Sequence, residues 1–359
     1  MLHKIYRPEQ AAVCFFRSSV QLPERKIMLQ ITEKCNLHCA HCFAEAHSSG
    51  KEMDFAFIRD NLIPLLIRNR VAKVTLTGGE PLVHSKAKEI VERFLEAGIG
   101  VSICTNGTMI DVEWAQRLTK YSSVHFNISL DGLYFETHGK FRAISSREEF
   151  AKLIENIQVV AKMGLLNGIL TTPNKYATVN EYYELCSLAK SIGAKYVLMN
   201  PLSPFGRGTK TQQLAFCHEE MAELKEKTKT LISKDFEIVY IRFPNDEGLP
   251  LGECTPGSVP YIFCNGDIAI CPYMVFAANG SNSYRPEEFM IGNVFDGTEI
   301  GEAVLGFQIN MGRFFKGQPL QYPECVSCGK ECLAIKIAMG LSLSAGEGED
   351  CPILANEST

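Results

Sequence analysis

Cys35-Asn-Leu-His-Cys39-Ala-His-Cys42 follows closely on a strand-like run, Ile27-Met-Leu-Gln-Ile-Thr32, and its reading decides the fold. Three thiols, separated by three and then two residues, share one tight loop. Three thiolates so placed can hold three irons of a four-iron, four-sulfur cluster and leave the fourth iron open to another ligand. A structural zinc site is the alternative, because short Cys spacings are normal there too. His38 or His41 would then complete a set of four.

Two segments further along bear on this choice. The apolar run Val71-Ala-Lys-Val-Thr-Leu76 leads into Thr77-Gly-Gly-Glu-Pro81 and then a helical pattern from Ser85 to Ala97. Gly78 and Gly79 allow the backbone to approach a ligand closely, and Pro81 holds Glu80 extended. Asn127-Ile-Ser-Leu-Asp-Gly132 precedes His138-Gly-Lys-Phe-Arg142, and Thr105-Asn-Gly-Thr108 closes another strand-like run. Read singly, these are turns.

In this order, over about 120 residues, the segments resemble the radical S-adenosylmethionine (SAM) superfamily. The resemblance implies that Cys35, Cys39 and Cys42 hold the catalytic [4Fe-4S] cluster, whose open iron chelates the amino and carboxylate groups of SAM. It implies further that Gly78, Gly79, Glu80 and Pro81 receive the SAM ammonium group. Ser129 would contact the ribose or carboxylate, and Arg142 would pair with the carboxylate. Thr105, Asn106, Asp131 and Asn174 are further candidates for the SAM pocket. The family prefers an aromatic residue before the third cysteine, and His41 keeps a ring there.

Strand-like runs at 27–32, 72–77, 100–104, 123–130, 166–172 and 195–200 alternate with helical stretches such as Asp54–Arg68, Arg147–Met163 and Glu181–Ile192. Six such units predict an α/β fold with a parallel sheet, similar to the partial (β/α)6 TIM-like barrel of radical SAM enzymes. The candidate residues would lie at the carboxyl ends of strands, where loops converge on one mouth. Thr171–Asn174 and Asn200–Arg207 would line the same mouth. The expected organisation is an N-terminal extension (1–26), the barrel (27–242) and a cysteine-rich domain (243–359).

The hydrophobic share of 46% supports a substantial core, and a net charge of −5 without a basic block argues against nucleic acid or anionic lipid as partner. No signal peptide or membrane-spanning run is evident. Fourteen cysteines in such a chain point to metal in a reducing compartment, hence the cytoplasm. Cys14, Cys104, Cys186 and Cys217 lie in helix or strand patterns and are expected in the core.

Beyond Phe243 come Cys254, Cys264, Cys271, Cys325, Cys328, Cys332 and Cys351. Asn265-Gly266 between apolar runs signals a hairpin, which would set Cys264 opposite Asp267 and about 13 Å from Cys271. The order resembles the SPASM/twitch extension of radical SAM enzymes. It implies one or two auxiliary [4Fe-4S] clusters on Cys254, Cys271, Cys325, Cys328, Cys332 and Cys351. Zinc knuckles are the alternative.

The resemblance implies that flavodoxin or ferredoxin supplies an electron, that SAM is cleaved reductively, and that a 5′-deoxyadenosyl radical takes hydrogen from a C–H bond. Most members with this extension modify peptides, so the expected activity is crosslinking, epimerising or oxidising a ribosomally made peptide. About 26 residues before the barrel are too few for a leader-recognition domain. A separate leader-binding protein, or strand pairing by Tyr6–Ile27, would take its place. The alternatives are a small-molecule dehydrogenase or decarboxylase (sugar, aminocyclitol or tetrapyrrole) and a non-catalytic iron-sulfur electron carrier or scaffold.

Overall fold

Strands β1 (Arg25–Thr32), β2 (Val71–Gly78), β3 (Gly100–Thr105), β4 (Val124–Ser129), β5 (Leu166–Thr171), β6 (Tyr196–Met199) and β7 (Glu237–Tyr240) pair parallel in chain order. The computed structural model describes residues 12–13, 20, 23–244, 251–252, 257, 259–310 and 332–340. The six expected strands are present, and β7 is an addition. Its four residues, Glu-Ile-Val-Tyr, are too few to show a period in the sequence.

Side-chain alternation explains the layering. In β1, Ile27, Leu29 and Ile31 are fully buried in the main core, whereas Lys26 and Met28 line an interior cavity. In β2, Val74 and Leu76 are buried while Lys73, Thr75 and Thr77 face that cavity. Helices Ala87–Glu96, Arg147–Lys162 and Val179–Ser191 bury one face each, through Ile90 and Phe94, Leu153 and Ile157, and Tyr182 and Leu185. Ser146 and Thr178 cap the second and third by accepting from Glu149 N and Glu181 N. One cavity touches residues of β1 through β7, so the sheet curls into an α/β partial barrel.

The chain beyond 243 returns to the other edge of this sheet. Strand β8 (Tyr261–Ile262) runs parallel to β1, with Tyr261 opposite Met28, and β9 (Asp267–Ala269) and β10 (Met290–Asn293) extend the sheet antiparallel. The expected hairpin forms, with a different register. Phe263 N donates to Asp267 O at 2.8 Å and Gly266 N to Phe263 O at 2.9 Å, so Phe263 faces Asp267 and Cys264 sits inside the turn. The cause is a three-residue loop whose Gly266 takes φ +86°, a left-handed conformation glycine accepts without strain.

A second apolar cluster joins helix Pro272–Ala278 to helix Leu333–Ala338 through Tyr273, Phe276, Ala334 and Ile337, with Phe205 from the barrel side. Of the four cysteines expected in the core, Cys186 is there. Cys104 instead lines the cavity, and Cys217 is exposed ahead of helix His218–Thr228. Cys14 lies outside the described residues. Among the described residues no helix is long and apolar enough to cross a membrane.

Candidate active site

The cysteine loop leaves β1 and folds back over the mouth of the barrel. Cys35 N donates to His47 O at 3.0 Å, Cys42 N to Cys39 O at 3.3 Å, and Ala40 N to Phe141 O at 3.0 Å. The loop is then tied to the end of β2, since Gly79 N donates to Thr32 O and Glu80 N to Lys34 O, both at 2.8 Å. Only glycine fits at position 79, because a Cβ there would fall 2.1 Å from Lys34 O. From the far side Arg207 donates through Nε to Cys39 O at 2.8 Å and through Nη1 to Ala46 O at 2.9 Å.

His41 stacks flat on Phe141, with ring centroids 4.3 Å apart and planes 7° apart. Burial, followed by Arg142 and Arg207, holds its imidazole well below the ordinary pKa, so the ring is neutral. His38, the other residue considered for a zinc site, is exposed.

Glu80 is almost wholly buried and joins the ends of β2 and β3. Its carboxylate accepts from Thr105 Oγ1 and Asn106 N at 2.7 Å each and from Leu82 N at 3.1 Å. Burial raises its pKa, and those three donors oppose the rise. Asn106 Nδ2 reaches Asn36 Oδ1 at 2.9 Å, tying β3 to the cysteine loop as well.

Arg142 forms an ion pair with the fully buried Asp131 and directs Nη1 towards Cys39 Sγ at 4.0 Å. Asp131 is held in turn by Thr172 N at 2.7 Å. Burial pushes the Cys39 thiol up to about 12, with Arg142 opposing, and burial likewise raises Cys35. Neither thiol ionises readily unaided, and iron would supply the driving force, since metal binding displaces the thiol proton.

Under the loop lies a cavity of about 610 Å³, within the range of small-molecule sites. Cys35, Cys39 and Cys42 line its top with Gly78, Gly79, Glu80, Thr105, Asn106, Ser129 and Arg142. Residues 29–189 match the family model of the radical SAM superfamily. Those residues are a radical SAM domain.

This radical SAM enzyme is similar along most of its length to mycofactocin maturase MftC of Mycobacterium tuberculosis. The two are 28% identical over 358 residues, covering 91% of this chain and 84% of that protein. It is 30% identical over 200 residues to the AdoMet-dependent heme synthase of Methanosarcina barkeri, covering 53% of this chain and 54% of that one. Among solved structures, Streptococcus suis SuiB bound to the precursor peptide SuiA shares the fold. The TM-score is 0.66 at 17% identity, over 92% of this chain and 76% of that one.

Radical SAM enzymes work with a [4Fe-4S] cluster and SAM, and the residues present fit both. Three thiols share the loop over the cavity mouth, and the glycine contact with Lys34 leaves the backbone bare there. Among the described residues no three His, Cys, Asp or Glu side chains converge as a mononuclear metal site needs. A four-iron cluster asks instead for separate thiolates on three of its irons, with the fourth iron left open.

Three expected SAM-site residues stand behind the lining. Pro81 is buried at the start of a helical turn, Asp131 sits beneath Arg142, and Asn174 is fully buried, with Asn174 Nδ2 donating to Tyr182 OH at 2.9 Å. Of the expected auxiliary ligands, Cys271 and Cys332 precede the two helices of the second apolar cluster and lie close enough to bear on Tyr273. Burial foremost, with an influence from each thiol, raises that phenol's pKa. Cys254, Cys325, Cys328 and Cys351 lie outside the described residues. Cys264 is buried against β1, its Sγ directed at Ile31 O at 3.9 Å and its backbone N–H donating to Gln30 Oε1 at 3.1 Å.

Sequence reasoning passed over Arg207 as the loop's brace and missed the polar interior formed by Lys26, Lys73, Cys104, Asn127 and Tyr196. The signal was available. Strands of a covered parallel sheet ordinarily read as near-continuous apolar runs, and Lys26 and Lys73 interrupt two of them.

Proposed function

We propose that this radical SAM enzyme modifies a ribosomally made peptide by crosslinking, epimerising or oxidising it. The observation that supports this best is similarity to a maturase across 91% of the chain, together with a cavity open below the cysteine loop. The heme synthase favours the small-molecule alternative, but that similarity spans 53% of the chain. A non-catalytic carrier has no use for the lining gathered at the cavity mouth.

In this reading Cys35, Cys39 and Cys42 hold the cluster. Arg142, set by Asp131, receives the SAM carboxylate, while Gly78, Gly79 and Glu80 receive its ammonium. Ser129, Thr105 and Asn106 border the nucleoside. Pro81 and Asn174 act through the backbone they fix. When bound, the cluster supplies the electron that cleaves SAM to methionine and a 5′-deoxyadenosyl radical. The protein's task is to hold SAM and the target C–H bond together and keep water out.

Residues 27–242 would act as the SAM-cleaving barrel and 243–359 as a SPASM/twitch extension with one or two auxiliary clusters, on Cys254, Cys271, Cys325, Cys328, Cys332 and Cys351. The reductant would be a flavodoxin or ferredoxin in the cytoplasm, and a separate protein would present the leader.

The test is mass-spectrometric detection of 5′-deoxyadenosine from anaerobically reconstituted protein, SAM and dithionite, compared with Cys35→Ala. Formation by the wild type alone is expected. Its absence from protein with a filled, reducible cluster, even with the peptide encoded beside the gene, would return the chain to the scaffold reading.

A further inference from the structure

The lower part of the cavity carries charge that the SAM pocket does not use. Lys26 on β1 and Lys73 on β2 are direct partners in the strand register, and both line the cavity. At ~3.3 Å per residue, Lys26 lies ~20 Å before the end of β1 and Lys73 ~16 Å before the end of β2. They therefore stand deep beneath the cysteine loop. Neighbouring strands are ~4.8 Å apart, so the two ammonium groups make one patch.

That patch lacks a counter-charge among the described residues. Among the described residues no carboxylate comes within 4.0 Å of either ammonium. Glu237 also lines the cavity, but from β7, at the far edge of the parallel run. The polar groups nearby are engaged with one another. Tyr196 OH donates to Asn127 Oδ1 at 2.8 Å, Asn167 Nδ2 donates to the same oxygen at 3.0 Å, and Asn127 Nδ2 points to Cys104 Sγ at 3.9 Å. Like charges directly opposite on paired strands destabilise a sheet, and charge withdrawn from water needs a partner. Burial pushes both lysines below the ordinary value, Lys73 adds to the effect on Lys26, and Cys104 opposes it. A group brought in from outside would offset all of this if it were anionic.

We propose that Lys26 and Lys73 form a carboxylate subsite for the substrate, and that the peptide enters the barrel with an acidic group foremost. This rests on the peptide reading above. The carboxylate belongs either to an Asp or Glu side chain or to the peptide's own C-terminus. The SAM carboxylate has its own partner in Arg142 at the mouth, beside Cys39.

The test exposes the anaerobically reconstituted full-length protein, with SAM, to a randomised hexapeptide library, half with free carboxyl termini and half amidated. Retained peptides are sequenced by mass spectrometry. Carboxylate-bearing peptides are expected to be enriched about tenfold, the effect of one charge-assisted contact. Enrichment of Asp or Glu in both halves assigns the side chain, and enrichment of free over amidated peptides assigns the terminus. Lys26→Met and Lys73→Met should lose the preference, and the Lys26→Arg/Lys73→Arg double variant should keep it. Lys73→Gln serves if a methionine variant fails to fold. Retention without carboxylate preference, no retention at all, or an unchanged preference in folded methionine or glutamine variants overturns the subsite. Assaying the same wild-type preparation for 5′-deoxyadenosine reads the radical chemistry separately.

Discussion

Gly79 lies so close to Lys34 that a Cβ on it would stand 2.1 Å from the Lys34 carbonyl oxygen and 2.5 Å from its carbonyl carbon. The atoms it would meet are backbone, so no side-chain rotation relieves the clash. Gly79→Ala must lift the cysteine loop from β2 and weaken the bonds of Gly79 N to Thr32 O and Glu80 N to Lys34 O. Overpacking of this kind costs about 1–3 kcal/mol or more. Expected is a protein that keeps its barrel by circular dichroism but retains little iron after reconstitution. Gly280→Ala, where a Cβ meets nothing within 4 Å, should bind iron normally.

In the proposed SAM pocket Asp131 would act through Arg142. It is fully buried, paired with the guanidinium and fixed by Thr172 N, and it does not line the cavity. Asp131→Asn leaves Arg142 without its counter-charge, and breaking a buried pair from one side costs about 3–5 kcal/mol. The expected result is a lower melting temperature and weaker SAM binding by equilibrium dialysis. Unchanged SAM affinity in a destabilised protein would confine Asp131 to a structural role.

The barrel was legible because each strand carries its own alternation and each helix its own apolar face. Ile27, Leu29 and Ile31 announce the buried side of β1 whatever follows them. The cysteine loop was legible for a similar reason, since Cys35, Cys39 and Cys42 are close in sequence and their spacing alone limits what they can hold. Contacts across long separations were not legible. Arg207 meets Cys39 O across 168 positions and Cys264 N meets Gln30 across 234. No local pattern announces such a pair. The return of Tyr261–Ile262 to the edge of β1 is of the same kind, because two residues carry no period.

Cys271 and Cys332 each precede one of two helices packed in a single apolar cluster, and both thiols bear on Tyr273. If they hold an auxiliary cluster, Cys271→Ala should lower iron content by one cluster's worth and leave uncoupled SAM cleavage intact. Modified peptide should disappear. Iron analysis, 5′-deoxyadenosine and product mass, read on one preparation, separate these effects. Normal product from Cys271→Ala protein shown to lack that iron would sink the catalytic role of the auxiliary cluster.

Lys73 gives a prediction with a defined sign. Its folded-state pKa is lowered from 10.5, by burial foremost. The folded protein therefore holds this proton less readily than the unfolded chain does. Stability associated with the group is present above the unfolded value and is lost as pH falls through the lowered folded value. Below the lowered folded value the lysine is charged in both states and the whole cost stands, and the cost fades only as pH rises from there to the unfolded value. Lys73→Met removes it, so the substrate-free variant should melt higher than wild type at pH 7, and the two curves should converge as pH approaches 10. Thermal melts monitored by circular dichroism at several pH values check both statements. A variant that melts lower at pH 7 would show that the ammonium is well solvated where it stands. With the expected sign, a carboxylate-bearing peptide should raise the wild-type melting temperature by binding the folded state, and should raise that of Lys73→Met much less.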